Sequence, residues 1–197
     1  MKLHLMLGAV LLSGALALPA SAQFGRVERT QAEIALEQAQ DRQTKQKLAR
    51  DTAAEACASK QIDSCFKLAD MQRTGSGGAQ DLAAAAKSYK IVCDAKDGRG
   101  CAGLAYLTVQ GRGVAKNQTE GRALYKQACD YGDVSGCAAY GNMAFTGAGG
   151  RKDTVAGTQA LTNACDRDYQ WACTRMRDLG VFNPDDKPFD RLKDIRG

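Results

Sequence analysis

The chain has 197 residues and a formal net charge of +5, with 27 basic and 22 acidic residues interleaved along its length. So mild and mixed a balance supplies no basic tract for nucleic acid or an anionic membrane surface. Beyond the extreme N-terminus no stretch is apolar for the 18 or so residues that a bilayer span requires.

The first segment, MKLHLMLGAVLLSGALALPASAQ, has Lys2 at its head, an apolar run from Leu5 to Leu18 and the small-residue site Ala20-Ser21-Ala22. This is the pattern of a secretory leader, and cleavage is expected after Ala22. No cysteine follows the run to take a lipid, so residues 1–22 predict a chain exported to the periplasm or the medium. The only histidine, His4, would leave with the leader. Export would place all eight cysteines where disulfides persist.

Residues 29–57, RTQAEIALEQAQDRQTKQKLARDTAAEAC, contain neither glycine nor proline. They predict one long helix, and residues 23–56 are read as an N-terminal cap. Its small residues Ala49, Ala53 and Ala56 continue the register of a later helix.

From residue 57 the chain repeats itself. Cysteines fall at Cys57, Cys93, Cys129 and Cys165, and again at Cys65, Cys101, Cys137 and Cys173, both series stepping by 36. Gly75, Gly111 and Gly147 keep the same step, as do Asp81, Asn117 and Asp153. Inside one period Cys101, Leu104, Ala105 and Thr108 occupy positions i, i+3, i+4 and i+7 of a first helix, A. Gly121, Leu124, Tyr125 and Ala128 do the same for a second, B, matched by Ala85, Ser88, Tyr89 and Val92 one repeat earlier. Between them lies GRGVAKN, where Gly111 can end helix A in the left-handed conformation and Asn117 can cap helix B. One such hairpin cannot bury its apolar stripe, so hairpins must stack. The expected fold is all-α, a right-handed α-solenoid over residues 57–182, with small residues at Ala85, Gly121 and Gly157 allowing close helix approach. Asn183-Pro184 and Pro188 interrupt the pattern, so residues 183–197 are read as a C-terminal cap or tail.

The bracket CDAKDGRGC poses the question of what its cysteines do. On a continuous helix they would lie roughly 12 Å apart, whereas a disulfide needs α-carbons within about 7 Å. Bonding therefore requires a chain reversal, for which Gly98 and Gly100 could break the helix and Asp97 could cap the next. The constant bracket favours local pairs, 57 with 65, 93 with 101, 129 with 137 and 165 with 173. Zinc sites and redox dithiols favour shorter C-x-x-C spacings, which the chain lacks. No metal and no cofactor is expected.

CDAKDGRGCAGLAYLTVQGRGVAKNQTEGRALYKQAC resembles the Sel1-like repeat, a relative of the tetratricopeptide repeat, and the bracket resembles the disulfide-bridged subclass of the Helicobacter cysteine-rich proteins. The resemblance runs from residue 53 to about 182. Two departures stand out: the repeat's tyrosine position holds Gln72, Thr108 and Ala144, and valine follows the second loop glycine only at Val114.

The resemblance implies a scaffold that binds a protein or peptide on the concave face lined by helix A. By analogy with the tetratricopeptide groove, that face would carry Phe66, Asp70, Thr74, Ala102, Tyr106, Gln110, Ala138, Asn142, Thr146, Thr174, Asp178 and Phe182. Of these, Phe66, Asp70, Tyr106, Gln110, Asn142, Thr146 and Asp178 are the candidate ligand residues. Trp171, without an aromatic counterpart in the other brackets, is expected to cover the end of the solenoid. The partner expectation is a protein or peptide of the cell envelope, met by a monomer. The same resemblance offers an alternative, a β-lactam-binding protein with weak β-lactamase activity. Ser64-Cys65-Phe66-Lys67 matches S-x-x-K, which would make Ser64 and Lys67 the catalytic candidates. Its supporting motifs are absent, and Ser64 aligns with Gly100, Gly136 and Ala172, a position that simply calls for a small residue.

Overall fold

The computed structural model describes residues 30–181. The leader with His4, the groove candidate Phe182, which is the fourth-repeat counterpart of Thr74, and the tail 183–197 lie outside the described residues. The chain divides into two compact units, residues 1–38 and 39–197. In the described part of the first, Thr30 and Glu33 close a reciprocal capping box. Thr30 N–H donates to Glu33 Oε2 at 2.7 Å, and Glu33 N–H to Thr30 Oγ1 at 3.2 Å.

Eight helices and no strand occur among the described residues: α1 (Gln31–Ala58), α2 (Ile62–Thr74), α3 (Leu82–Asp94), α4 (Gly98–Gln110), α5 (Gln118–Asp130), α6 (Val134–Thr146), α7 (Thr154–Asp166) and α8 (Gln170–Asp178). In residues 39–197 consecutive helices from α2 onward pack against one another, and α4 also meets α6. The 36-residue step of the cysteines is thus the step of an α-solenoid.

The helix ends follow the sequence signals. Gly75, Gly111 and Gly147 end α2, α4 and α6 at φ 79°, 70° and 85°, the left-handed region that glycine occupies without penalty. Asp81, Asn117 and Asp153 cap α3, α5 and α7 by accepting the N–H of the residue three ahead. The expected close approach at the helix B stripe is present. A Cβ on Gly121 would meet Val109 Cγ2 at 2.3 Å, and one on Gly157 would meet the Phe145 backbone nitrogen at 2.6 Å.

Four disulfides join the expected pairs, Cys57–Cys65, Cys93–Cys101, Cys129–Cys137 and Cys165–Cys173, with α-carbons 4.3 to 4.8 Å apart. Each ties the last turn of one helix to the first turn of the next, α1 to α2, α3 to α4, α5 to α6 and α7 to α8. The reversal between them differs from expectation. Gly98 and Gly100 do not break a helix; they lie in the first turn of α4. The turn is made by Lys96 at φ 63°, with Lys60, Gly132 and Asp168 at the same step and φ 62°, 85° and 65°. Gly98 and Gly100 serve close packing instead. A Cβ on Gly100 would stand 2.5 Å from Val92 Cβ, and one on Gly98 2.7 Å from the Ala128 carbonyl oxygen. Asp97 caps α4 as expected, accepting from Arg99 N–H at 3.0 Å.

The departures from the repeat pattern have local reasons. Gln72 reaches across to α3, where its Oε1 accepts from Ser88 Oγ at 2.8 Å. Thr108 is buried and donates to the Leu104 carbonyl at 2.9 Å, and Ala144 is fully buried. Val114 packs on the cluster formed by Ala69, Ala85, Ala86, Tyr89 and Leu107. Trp171 corrects the sequence reading: it is 48% exposed and stays out of the last core cluster, which Met176, Leu179 and Val181 close instead. It occupies the same repeat position as Asp63, Arg99 and Ser135, on the solvent side of each first turn.

Candidate binding cleft

A cleft of about 420 Å³ runs across the first three repeats and reaches the start of the fourth. Helix α2 contributes Phe66, Asp70 and Arg73; α3 contributes Tyr89; α4 contributes Arg99, Ala102, Gly103 and Tyr106. Beyond them stand Tyr125 on α5, Asp133 at the cap of α6, Ser135 and Ala139 on α6, and Tyr169 before α8. The lining is aromatic with a few charged groups, the usual character of a recognition surface.

One end of the cleft is fully wired. Arg73 bonds Asp70 through Nη2, and its Nε lies 3.1 Å from both Asp70 Oδ1 and the Tyr89 hydroxyl. The aspartate bond holds the Arg73 guanidinium above its usual range. Tyr89 is buried, its ring 6.0 Å from that of Phe66, and a Cβ on Gly103 would meet it at 2.6 Å. Burial pushes the Tyr89 phenol up, against the pull of Arg73.

Arg99 links two repeats. It grips Asp97 in bidentate fashion, Nε to Oδ1 at 3.0 Å and Nη2 to Oδ2 at 2.6 Å, and its Nη2 also reaches Asp63 Oδ1 of the preceding repeat at 2.6 Å. Its guanidinium carbon lies 4.8 Å from the centroid of Phe66, a cation–π contact. These bonds hold Asp97 below the usual carboxylate range.

The other end is less satisfied. Burial pushes the Tyr125 phenol up to about 12, with Tyr106, Tyr169 and Asp133 adding to the shift. Tyr106 is 39% exposed, its hydroxyl accepting from Arg112 Nη1 at 3.2 Å. Asp133 Oδ1 accepts from Ser135 Oγ and Gly136 N–H, both at 2.6 Å.

Of the candidates from sequence, Phe66, Asp70 and Tyr106 come together here, beside Ala102. Gln110, Asn142, Thr146 and Asp178 lie outside this lining. Asn142 Oδ1 accepts from Arg175 Nε at 2.7 Å, and Thr146 Oγ1 bonds back to the Asn142 carbonyl at 2.8 Å, as Thr74 does to Asp70. Gln110 and Asp178 are exposed. Ala138, placed on the face by the same register, is buried at 1% exposure against Leu161 and Ala172. The sequence reading missed Arg73, Arg99, Tyr125, Asp133 and Tyr169. Tyr125 is the repeat mate of Tyr89, and helical spacing alone places both on the core stripe.

Ser64 and Lys67 stand on α2 outside the cleft lining. Ser64 holds the place of Gly100 and Gly136, whose added Cβ atoms would strike Val92 and Ala128 at 2.5 Å. All eight cysteines are bridged, so none is left as a nucleophile or metal ligand. No helix among the described residues is long and apolar enough to cross a membrane.

No family model and no curated protein matches the sequence. Solved structures do. A Sel1 repeat protein from Oxalobacter formigenes superposes with a TM-score of 0.59 at 25% identity, over 64% of this chain and 51% of that one. The protein c5321, a protective antigen present in uropathogenic Escherichia coli strains displaying an SLR fold, gives 0.61 at 23%, over 64% and 27%. Helicobacter pylori cysteine rich protein B gives 0.53 at 22%, over 67% and 95%. The chain therefore spans about half the length of the first and about a quarter of the second. The chain thus shares the α-solenoid fold of these Sel1 repeat and cysteine-rich proteins, with a bridged cysteine pair at each 36-residue step.

Proposed function

We propose that the protein is an exported repeat scaffold that binds a protein or peptide of the cell envelope in the cleft between α2 and α6. The observation that carries this reading is the cleft itself, where Phe66 of the first repeat, Tyr106 and Tyr125 of the second and Tyr169 of the fourth present aromatic surface. Aromatic side chains supply large contact area at low conformational cost and dominate binding energetics. The disulfides support the exported part, since such bridges form and persist chiefly in oxidising compartments. On this reading residues 1–22 are the leader, 23–56 cap the solenoid, 57–182 form it and 183–197 are its tail, with N-terminal sequencing of the exported protein expected to start at Gln23.

The test is photocrosslinking in the producing cell, with p-benzoylphenylalanine at Tyr106 in the cleft and, as control, at the exposed Ile91 on α3, which is not part of the lining. Discrete adducts at Tyr106 that are missing at Ile91 are expected. Equal adducts at both, or none at Tyr106, would remove the cleft as the binding surface.

A further inference from the structure

The repeat supplies its own template for what the open end of the cleft accepts. At Tyr89 the chain holds a guanidinium: Arg73 lies between the phenol of Tyr89 and the carboxylate of Asp70. One repeat later Tyr125 takes the place of Tyr89, Tyr106 that of Asp70, and Val109 that of Arg73. The phenol is kept and the internal guanidinium is gone. A carboxylate is present nonetheless, because Asp133 lines the same cleft from the cap of α6.

The neighbouring charges sharpen the contrast. Asp70 is paired with Arg73, and Asp63 and Asp97 with Arg99. Asp133 receives only the Ser135 hydroxyl and the Gly136 N–H, and no ion pair reaches it among the described residues. Arg99, which lines the cleft with Asp133, is held by Asp63 and Asp97, while Arg112 donates to the Tyr106 hydroxyl and Arg167 to the Gly132 carbonyl at 3.0 Å. An unpaired carboxylate beside three phenol rings, those of Tyr106, Tyr125 and Tyr169, is the complement of an organic cation.

We infer that Tyr125, Asp133, Tyr106 and Tyr169 form a subsite for an arginine side chain of the bound partner, which takes the role toward Tyr125 that Arg73 plays toward Tyr89. This rests on the reading of the cleft as a peptide-binding surface. The planar guanidinium suits the place better than an ammonium, since it can stack on a phenol while donating in its plane to a carboxylate and a hydroxyl.

The probes are capped tripeptides, acetyl-Gly-X-Gly-amide with X arginine, lysine, leucine or glutamate, titrated into the ¹⁵N-labelled oxidised protein and followed by amide chemical shifts. The arginine peptide is expected to shift the signals of residues around Tyr106, Tyr125, Asp133 and Tyr169 saturably and more tightly than the others. Asp133→Asn keeps a good helix cap and is expected to weaken binding about tenfold. Tyr125→Phe is expected to weaken it about threefold, and Val109→Arg, which restores the internal guanidinium, to abolish it. Thermal melts of the three variants confirm that the fold persists. Equal or tighter binding of the lysine, leucine or glutamate peptide, arginine shifts mapping outside the cleft, or affinity indifferent to Asp133→Asn and Val109→Arg would each overturn the arginine subsite. Saturation of the cleft by the leucine or glutamate peptide would do so while leaving the cleft as a binding surface, whereas the crosslinking control at Ile91 tests that broader reading separately.

Discussion

A methyl group on Gly78 would stand 2.6 Å from Nη1 of Arg50, because that guanidinium lies over the loop and donates to the Ala79 carbonyl at 3.0 Å. Two repeats on, Arg122 lies over Gly150 in the same way and donates to the Arg151 carbonyl at 2.9 Å. The repeat between them swaps both partners, with Ala86 in the arginine position and Val114 in the glycine position. Valine thus fills the place of the guanidinium. Val114→Gly alone should cost about 1–2 kcal/mol through the void it leaves, and Ala86→Arg alone about 1–3 kcal/mol through overpacking. The double substitution should recover at least ~1 kcal/mol of their sum, a positive coupling that denaturant titration of the four proteins of the cycle measures.

The joints differ in the residue that makes the reversal. Lys96 turns at φ 63° and Gly132 at 85° with nothing within 4 Å of its added Cβ. A non-glycine residue there costs about 1 kcal/mol, partly offset by the chain entropy that glycine loses on folding. Lys96→Gly should raise stability by about 0.5–1 kcal/mol, and Gly132→Lys should lower it by a similar amount. Chemical denaturation with the bridges intact checks both, and a loss of stability in Lys96→Gly would contradict the account.

Each bridge closes a loop of sequence separation 8. On the chain-entropy model such a loop stabilises by roughly 2–3 kcal/mol. Replacing both Cys93 and Cys101 by serine should therefore lower the unfolding free energy by about that amount. The opposing expectation is equally concrete: mass spectrometry of the unreduced, unfolded wild type should find no alkylatable thiol.

Asp97 both caps α4 and clamps Arg99. Its folded pKa is depressed, chiefly by the side-chain bonds to Arg99. Its stabilising contribution is thus present above the ordinary carboxylate range and is lost as pH falls through the lowered folded value. Asp97→Asn retains a cap but not the clamp, so wild type and variant should differ most at neutral pH and converge in acid. Parallel stability profiles down to pH 2 would refute the clamp.

Tyr125 has the reverse sign. Its folded pKa is raised to about 12 from 10.0, mainly by burial, so its contribution is full below pH 10 and fades as pH rises toward 12. Absorbance at the phenolate band should show a late step near pH 12 that Tyr125→Phe removes.

The helices, their caps and the bridges were legible because each leaves a residue type at a fixed step. Gly111, Asn117 and the cysteine pairs need only their own local geometry to act. The reversal is not legible because Lys96 carries the positive φ with no glycine to announce it, while the two glycines beside the turn lie inside α4. The cleft was half legible for a different reason. Phe66, Asp70 and Tyr106 follow from helix A register, but Arg99 reaches Asp63 one repeat back. Such contacts depend on how long side chains lie across stacked hairpins, which periodicity does not encode. Tyr125 has a partly buried ring whose face also lines the cleft, so apolar spacing alone assigned it to the core.

Because the bridges join α1 to α2, α3 to α4, α5 to α6 and α7 to α8, none of them lies inside a hairpin. Under mechanical tension the joints would stay knotted while the glycine loops between helices paid out chain. Each intact bridge would withhold roughly 25 Å of contour length. A scaffold pulled between its termini would therefore lengthen in steps set by hairpins, and reducing agent would add slack at four places without changing where the first yielding occurs.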